Sequence, residues 1–305
     1  MPTTNTITIG LTQHACTADT QANINRACEL IREAAGKGAT LVITQELFAG
    51  LYFPQEEDDQ HFDLAEPIPG PTSNQLCELA KKLGIHISGS LFERAAAGLY
   101  FNTSIMIDPA GNIIDRYRKM HIPDDPRFYE KYYFTPGDLG FRAQQLSQPD
   151  LTTGMLVCWD QWYPEAARLT ALHGAQLLLY PTAIGWHAPE TGGGETAEER
   201  PKQVESWRTI QRSHAIANGV FVAAANRVGR EGELLFWGRS FIADPSGTII
   251  AEADGETEQS LTAQIDLSLI EQRRRGWPFL RDRRIDAYAP ITSRYLGPNH
   301  ADPSK

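Results

Sequence analysis

Short apolar runs alternate along this chain with longer segments in which apolar residues return every three or four positions. "TITIGLTQ" (6–13) reads as a strand, and residues 19–35 follow as a helix in which Ile24, Cys28, Ile31 and Ala35 share one face. "GATLVITQELF" predicts a second strand, residues 72–83 a helix carrying Cys77, and "GIHISGSLFER" a third strand. "TTGMLVCWD", "AQLLLYPTAI" and "GVFVAAANRVG" read as further strands, with helices at 164–173 and 199–217. One phrase occurs twice: "SIMIDPAGNIIDRYRK" (104–119) and "SFIADPSGTIIAEAD" (240–254) each read as two strands joined by a Pro/Gly turn. The repeat predicts two similarly built halves, and the alternation as a whole predicts an α/β fold of mixed sheets covered by helices.

Composition narrows the function classes. Across 305 residues no Pro/Gly/Ser-rich or single-charge stretch separates two cores, so a single domain over 1–305 is expected. The opening residues lack a basic start followed by an apolar run, and no run of about 18 apolar residues exists for a membrane span. A formal charge of −10 argues against nucleic acid as a partner and is compatible with a cationic small-molecule substrate. Four cysteines, none in C-x-x-C spacing, are expected to stay reduced in a cytoplasmic protein. The histidines show no metal-ligand spacing, and no glycine-rich phosphate loop is present, so neither a metal nor a cofactor is expected.

In open α/β sheets ligands sit beyond the carboxyl ends of the strands. Three reactive residues close apolar strands here: Glu46 after "TLVITQ", Lys119 after "NIIDRYR" and Cys158 after "GMLV". Alone, a cysteine is most often a small buried hydrophobe and a Glu or Lys is most often solvated. Together they form a chemical set: a thiol, a carboxylate to take its proton, and an ammonium to hold the oxyanion that follows attack. His121, two residues past Lys119, is read as satisfying a local hydrogen bond rather than as a base.

"QELF" around Glu46, "RKMHIPDDP" and "YEKYYFTPGD" between 118 and 138, and "CWDQWYPE" from 158 closely resemble the three signature blocks of the nitrilase superfamily, the carbon-nitrogen hydrolases. "PTAIGWH", "WRTIQRSHAIANG", "ANRVG" and "WPFLRDRRIDAY" look like the branch of that superfamily that hydrolyses N-carbamoylputrescine. Arg127 departs from the pattern, which takes a small residue or glycine there.

The resemblance implies a four-layer αββα sandwich with Glu46, Lys119 and Cys158 as a triad. It also implies Glu130 as a supporting second glutamate and the Trp159 backbone N–H as an oxyanion donor. For Glu130 the ordinary alternative is a solvated pair with Lys131 or Arg127. The implied activity is release of putrescine, carbon dioxide and ammonia from N-carbamoylputrescine through an S-carbamoyl cysteine. Another N-carbamoyl compound, a simple amide or a nitrile is the alternative, and a silent binding protein on the same fold stands last. For such a substrate, Tyr52, Phe53, Tyr129, Trp159, Trp162 and Trp186 could wall the alkyl chain, and Asp124, Asp125 or Glu190 could meet the ammonium. "ETGGGETAEER" (190–200) reads either as a surface loop or as a flap over the pocket. The resemblance further implies a homodimer or higher homo-oligomer, with 276–305 as a C-terminal extension packing on the partner.

Overall fold

The computed structural model describes residues 5–188 and 195–297. In chain order the first half holds β1 (Thr6–Gln13), α1 (Thr20–Gly36), β2 (Leu41–Ile43), α2 (Pro71–Leu83), β3 (His86–Ala96), β4 (Leu99–Ile107) and β5 (Ile113–Arg118). Then come α3 (Glu130–Tyr133), β6 (Gln144–Ser147), β7 (Asp150–Met155), α4 (Pro164–Leu172), β8 (Leu177–Thr182), β9 (Gly185–His187) and α5 (Glu199–Asn218). The rest is β10 (Phe221–Asn226), β11 (Val228–Glu231), β12 (Leu234–Trp237), β13 (Phe241–Ala243), β14 (Ile249–Glu252), β15 (Gln259–Asp266) and α6 (Ser268–Gly276).

Two six-stranded sheets, ordered β15-β1-β2-β3-β4-β5 and β6-β7-β8-β10-β13-β14, share one plan. In each, the first pair is antiparallel, the next two are parallel and the last two are antiparallel. The twice-used phrase is the edge hairpin of each sheet. Asp108 Oδ1 accepts from the Ala110 and Asn112 amides at 2.9 and 2.8 Å, and Asp244 Oδ1 from those of Ser246 and Thr248 at 2.7 and 3.0 Å. The local repeat therefore belongs to a repeated sheet. A third, three-stranded sheet, β11-β12-β9, stands beside the strand ends.

The layers follow from the two-residue alternation of strand side chains. Ile9, Leu11, Leu41 and Ile43 point into a core shared with Leu177, Leu179, Val222 and Ala224 of the second sheet. Val42, Ile87 and Ile105 point the other way, onto Ile24, Ile31, Leu76 and Leu79 of α1 and α2. Helices α4 and α5 cover the second sheet, which completes an αββα order. Helix α1 starts at Asp19, whose side chain accepts from the Ala22 amide at 3.0 Å, and packs so closely on β1 that a Cβ at Gly10 would lie 2.8 Å from Ala34. Cys28 is buried on the packed face as the periodicity implied, and Cys77 is half-buried against the same core. Among the described residues no helix is long and apolar enough to cross a membrane.

Three strands differ from the sequence reading. The second stops at Ile43 and the one read through "GMLV" stops at Met155, so Glu46 and Cys158 lie in the turns beyond them. "GVFVAAANRVG" breaks at Arg227 into β10 and β11, which join different sheets, because the Arg227 side chain is drawn into the interior.

Candidate active site

The carboxyl ends of β2, β5 and β7 deliver Glu46, Lys119 and Cys158 to one buried place. Glu46 sits in a turn whose backbone amide donates to Thr182 O at the end of β8 at 3.4 Å, so it lies where the two sheets meet. Lys119 directly follows β5, its amide bonded to Asn102 O at 2.9 Å. Cys158 opens a 3-10 turn after β7 with φ of +40°. A non-glycine residue enters that left-handed region at a cost of about 1–2 kcal/mol, and such conformations collect where a side chain must be aimed.

Lys119 Nζ donates to Glu46 Oε1 at 2.8 Å and to Glu130 Oε2 at 2.6 Å, with all three side chains sealed from solvent. Glu130 is therefore no solvated surface acid paired with Lys131 or Arg127. Tyr52, placed in the sequence reading along the substrate chain, instead lies beneath the site and donates its hydroxyl to Glu130 Oε1 at 2.6 Å. Asn102 Nδ2 donates to Glu46 Oε1 at 2.7 Å, and Glu46 Oε2 has no partner among the described residues. One oxygen of Glu46 is thus fixed and the other is open to a proton.

The electrostatics follow from burial plus neighbours. Burial pushes the Cys158 thiol well above its usual range, Glu46 pushes the same way and Lys119 opposes, so the resting thiol keeps its proton. Burial lowers the Lys119 ammonium, but Glu130 and Glu46 more than reverse that and hold it charged. Burial lifts Glu130, Lys119 pulls it back and Glu46 lifts it again, leaving it at about 7.

Two buried side chains that the sequence did not single out position these groups. Asp160 Oδ2 accepts from the Val157 amide at 2.9 Å and from Tyr117 Oη at 2.7 Å, while Oδ1 accepts from the His121 amide at 3.0 Å and faces His121 Nδ1 at 2.7 Å. The loop after Lys119 is so tied to the turn of Cys158, and His121, stacked on Tyr163 with centroids 3.7 Å apart, is held by a bond to Asp160, 39 positions away, rather than by the local one expected. Arg227, fully buried, donates from Nη2 to Glu46 O and Leu47 O at 2.8 and 3.0 Å and pairs with Glu231 at 2.6 Å. Glu231 in turn accepts the Tyr52 amide at 2.6 Å.

A cavity of about 630 Å³ opens over the thiol, with Phe128, Trp159, Trp162, Ile184 and Trp237 in its walls and Glu130 and Cys158 at its base. Asp125, Glu195, Glu199 and Lys202 are its other charged lining residues. Glu195 Oε2 accepts from the His187 amide at 2.9 Å, and His187 Nε2 lies 3.1 Å from Pro126 O. Phe53 lies away from the cavity, in an aromatic cluster 4.9 Å from both Phe92 and Tyr133. Asp124 is exposed and Tyr129 half-buried, both outside the lining, and Trp186 stands behind Trp237 at 5.2 Å. Glu190 lies outside the described residues. The His and acid side chains spaced to hold an ion among the described residues are Glu56, Asp58 and His61, which are not in the cavity lining.

Arg127 has φ of +66° and follows Pro126 in the tight turn closed by the Phe128 amide on Asp125 O at 2.8 Å. A turn with proline second and a left-handed residue third ordinarily takes glycine there, which accounts for the expectation of a small residue. Arginine costs about 1–2 kcal/mol in that conformation. Its Nε meets Glu233 Oε2 at 2.6 Å, and Nη1 donates to Gln55 O at 3.4 Å.

Residues 8–275 match the family model described as carbon-nitrogen hydrolase. The chain is 43% identical to the N-carbamoylputrescine amidase of Solanum lycopersicum, over 92% of this chain and 93% of that one. It is 39% identical to a citrullinase of Francisella tularensis subsp. tularensis, over 90% and 93%. A crystal structure of a carbon-nitrogen hydrolase from Helicobacter pylori G27 is similar with a TM-score of 0.90 and 44% identity, covering 95% of this chain and all of that one. An amidase mutant from Nesterenkonia sp. AN1, which carries the acetamide moiety of fluoroacetamide covalently on its active-site cysteine, is similar with a TM-score of 0.74 and 26% identity, over 92% and 94%.

Proposed function

Because this chain belongs to the carbon-nitrogen hydrolase family, we propose that its buried Glu46–Lys119–Cys158 site hydrolyses N-carbamoylputrescine to putrescine, carbon dioxide and ammonia. The open Oε2 of Glu46 takes the thiol proton as Cys158 sulfur attacks the carbamoyl carbon. Lys119 has spent two of its three donors on carboxylates, and the third, with the Trp159 backbone N–H, receives the oxyanion. As the oxyanion collapses, the bond to the putrescine nitrogen breaks and Glu46 returns the proton to that nitrogen. Water deprotonated by Glu46 then attacks the S-carbamoyl carbon and frees the thiol. The carbamate released decomposes to carbon dioxide and ammonia. Glu130 acts by holding Lys119.

The observation that carries the substrate is the charge of the cavity. Beyond the base, Asp125, Glu195 and Glu199 share the lining with Lys202 and with His187, which meets Glu195 at 3.2 Å, and no arginine is among the described lining residues. Carboxylates suit a terminal ammonium, whereas a substrate carboxylate calls for a guanidinium. The aromatic walls suit a four-carbon chain. The second reading is citrulline, favoured by the citrullinase relative; it has the same ureido end but carries a carboxylate into this acidic cavity. The test compares kcat/KM for N-carbamoylputrescine, citrulline and neutral butylurea, in wild type and Asp125→Asn. N-carbamoylputrescine should lead, and the substitution should raise its KM far more than that of butylurea. Citrulline leading would overturn the substrate assignment.

The reading includes self-association as at least a homodimer through α4, α5 and the segment from about 276. Leu169 and Leu172 of α4 and Trp277, Phe279, Ile285, Tyr288 and Ile291 beyond α6 are exposed, a concentration of apolar side chains that supports an interface. Sedimentation as a monomer at micromolar concentration would refute it. Free thiols at all four cysteines favour the cytoplasm as its location.

A further inference from the structure

We infer that Arg127 is a positioning residue for substrate binding, a strap that holds the cavity loop 123–128 against the β11–β12 hairpin. The loop has an inner and an outer side. Inward, Pro123, Asp125, Pro126 and Phe128 line the cavity. Outward, Arg127 reaches Glu233 at 2.6 Å and the Gln55 carbonyl at 3.4 Å, and Gln55 Oε1 accepts the Glu233 amide at 3.0 Å. The strap therefore joins three separate stretches: the cavity loop, the short turn after Tyr52 and the hairpin.

The choice of residue is what makes this a placement device. At φ of +66° glycine would be the relaxed occupant, so arginine gives up backbone comfort. The ion pair it gains is more than a third exposed on both sides, a class of contact that adds little to global stability. The two effects offset each other, and the net result is the position of the loop. That loop carries Asp125, the carboxylate it contributes to the cavity, and Pro126 O, which meets the lining residue His187 at 3.1 Å. The inference rests on the proposed reading of this cavity as the substrate site.

The test uses Arg127→Asn, because asparagine tolerates a left-handed turn, together with Glu233→Gln and the double variant. Each single variant should raise KM for N-carbamoylputrescine about threefold to fivefold, the range an exposed pair can supply, with kcat within about twofold of wild type. The double variant should be no worse than the single ones, since both remove one contact. Hydrogen exchange of the peptide spanning 123–130 should quicken in both single variants while peptides from α1 and β8 keep the wild-type rate. This second readout does not depend on the substrate. Wild-type exchange in Glu233→Gln overturns the strap, and faster exchange with an unchanged KM overturns its role in binding. Wild-type enzyme that prefers citrulline refutes the substrate reading and leaves the exchange result to decide the strap.

Discussion

Replacing Tyr52 with phenylalanine removes one hydroxyl from the floor of the site and keeps the ring that packs on Phe128 at 5.5 Å and Phe236 at 5.8 Å. The lost contact is the 2.6 Å donation to Glu130. A hydrogen bond to a charged group contributes about 1.5–3 kcal/mol, and 1.36 kcal/mol corresponds to one pKa unit, so losing this donor lifts Glu130 by about one unit or more. The direction follows from the charge. Tyr52 favours the carboxylate, and without it the protonated acid persists to higher pH. Wild-type Glu130 stands at about 7, and if its carboxylate is needed to hold Lys119, kcat/KM falls as pH drops through that value. In the variant the acid limb moves to about 8. At pH 7 the ionised fraction drops from about one half to about one tenth, a roughly fivefold loss that vanishes above about pH 9.5. Burial and the carboxylates hold the Cys158 thiol and the Lys119 ammonium protonated above this range, so neither adds a limb within it. The assay is kcat/KM from pH 5.5 to 10 with ammonia detection. An acid limb that stays put, with activity lowered equally at every pH, refutes the role given to Glu130.

Cys158→Ala should lose turnover by several orders of magnitude while unfolding at the wild-type urea midpoint, whereas Cys28→Ala should shift the midpoint and spare kcat; turnover surviving in Cys158→Ala removes the nucleophile. Arg227→Met should cost about 3–5 kcal/mol in urea unfolding, because it leaves Glu231 charged and buried and orphans the carbonyls of Glu46 and Leu47; a loss below about 1 kcal/mol would show that the clamp does not hold that turn. Iodoacetamide should stop turnover and chelators should not, since every step runs through sulfur, carboxylate and ammonium; inhibition by a chelator that zinc reverses would refute the scheme.

Reading along the chain was enough to find the reactive side chains near the strand ends, although it ran β2 and β7 on as far as Glu46 and Cys158. Lys119 directly follows β5, and Cys158 and Glu46 fall within three residues of β7 and β2. Those positions are legible because the two-residue alternation of a half-buried strand and its abrupt stop are local properties. The repeated hairpin phrase likewise predicted two similar halves, and the two sheets share one strand plan.

The tertiary structure alone decided which polar groups meet. Arg227 finds the Glu46 carbonyl across 181 positions, Asn102 finds the Glu46 carboxylate across 56, and Tyr117 finds Asp160 across 43. It moved Tyr52 out of the cavity lining to a place behind Glu130 and set Phe53 in a separate aromatic cluster. It also brought Glu195 and Glu199 into the same cavity lining as Asp125, although no pattern in the chain links them. The physical reason lies in what each signal measures. Hydrophobic periodicity records that a position is withdrawn from water, which a residue settles with its near neighbours. A buried charge must be matched by hydrogen-bonding partners, and the fold draws these from whatever stretches of chain it brings alongside.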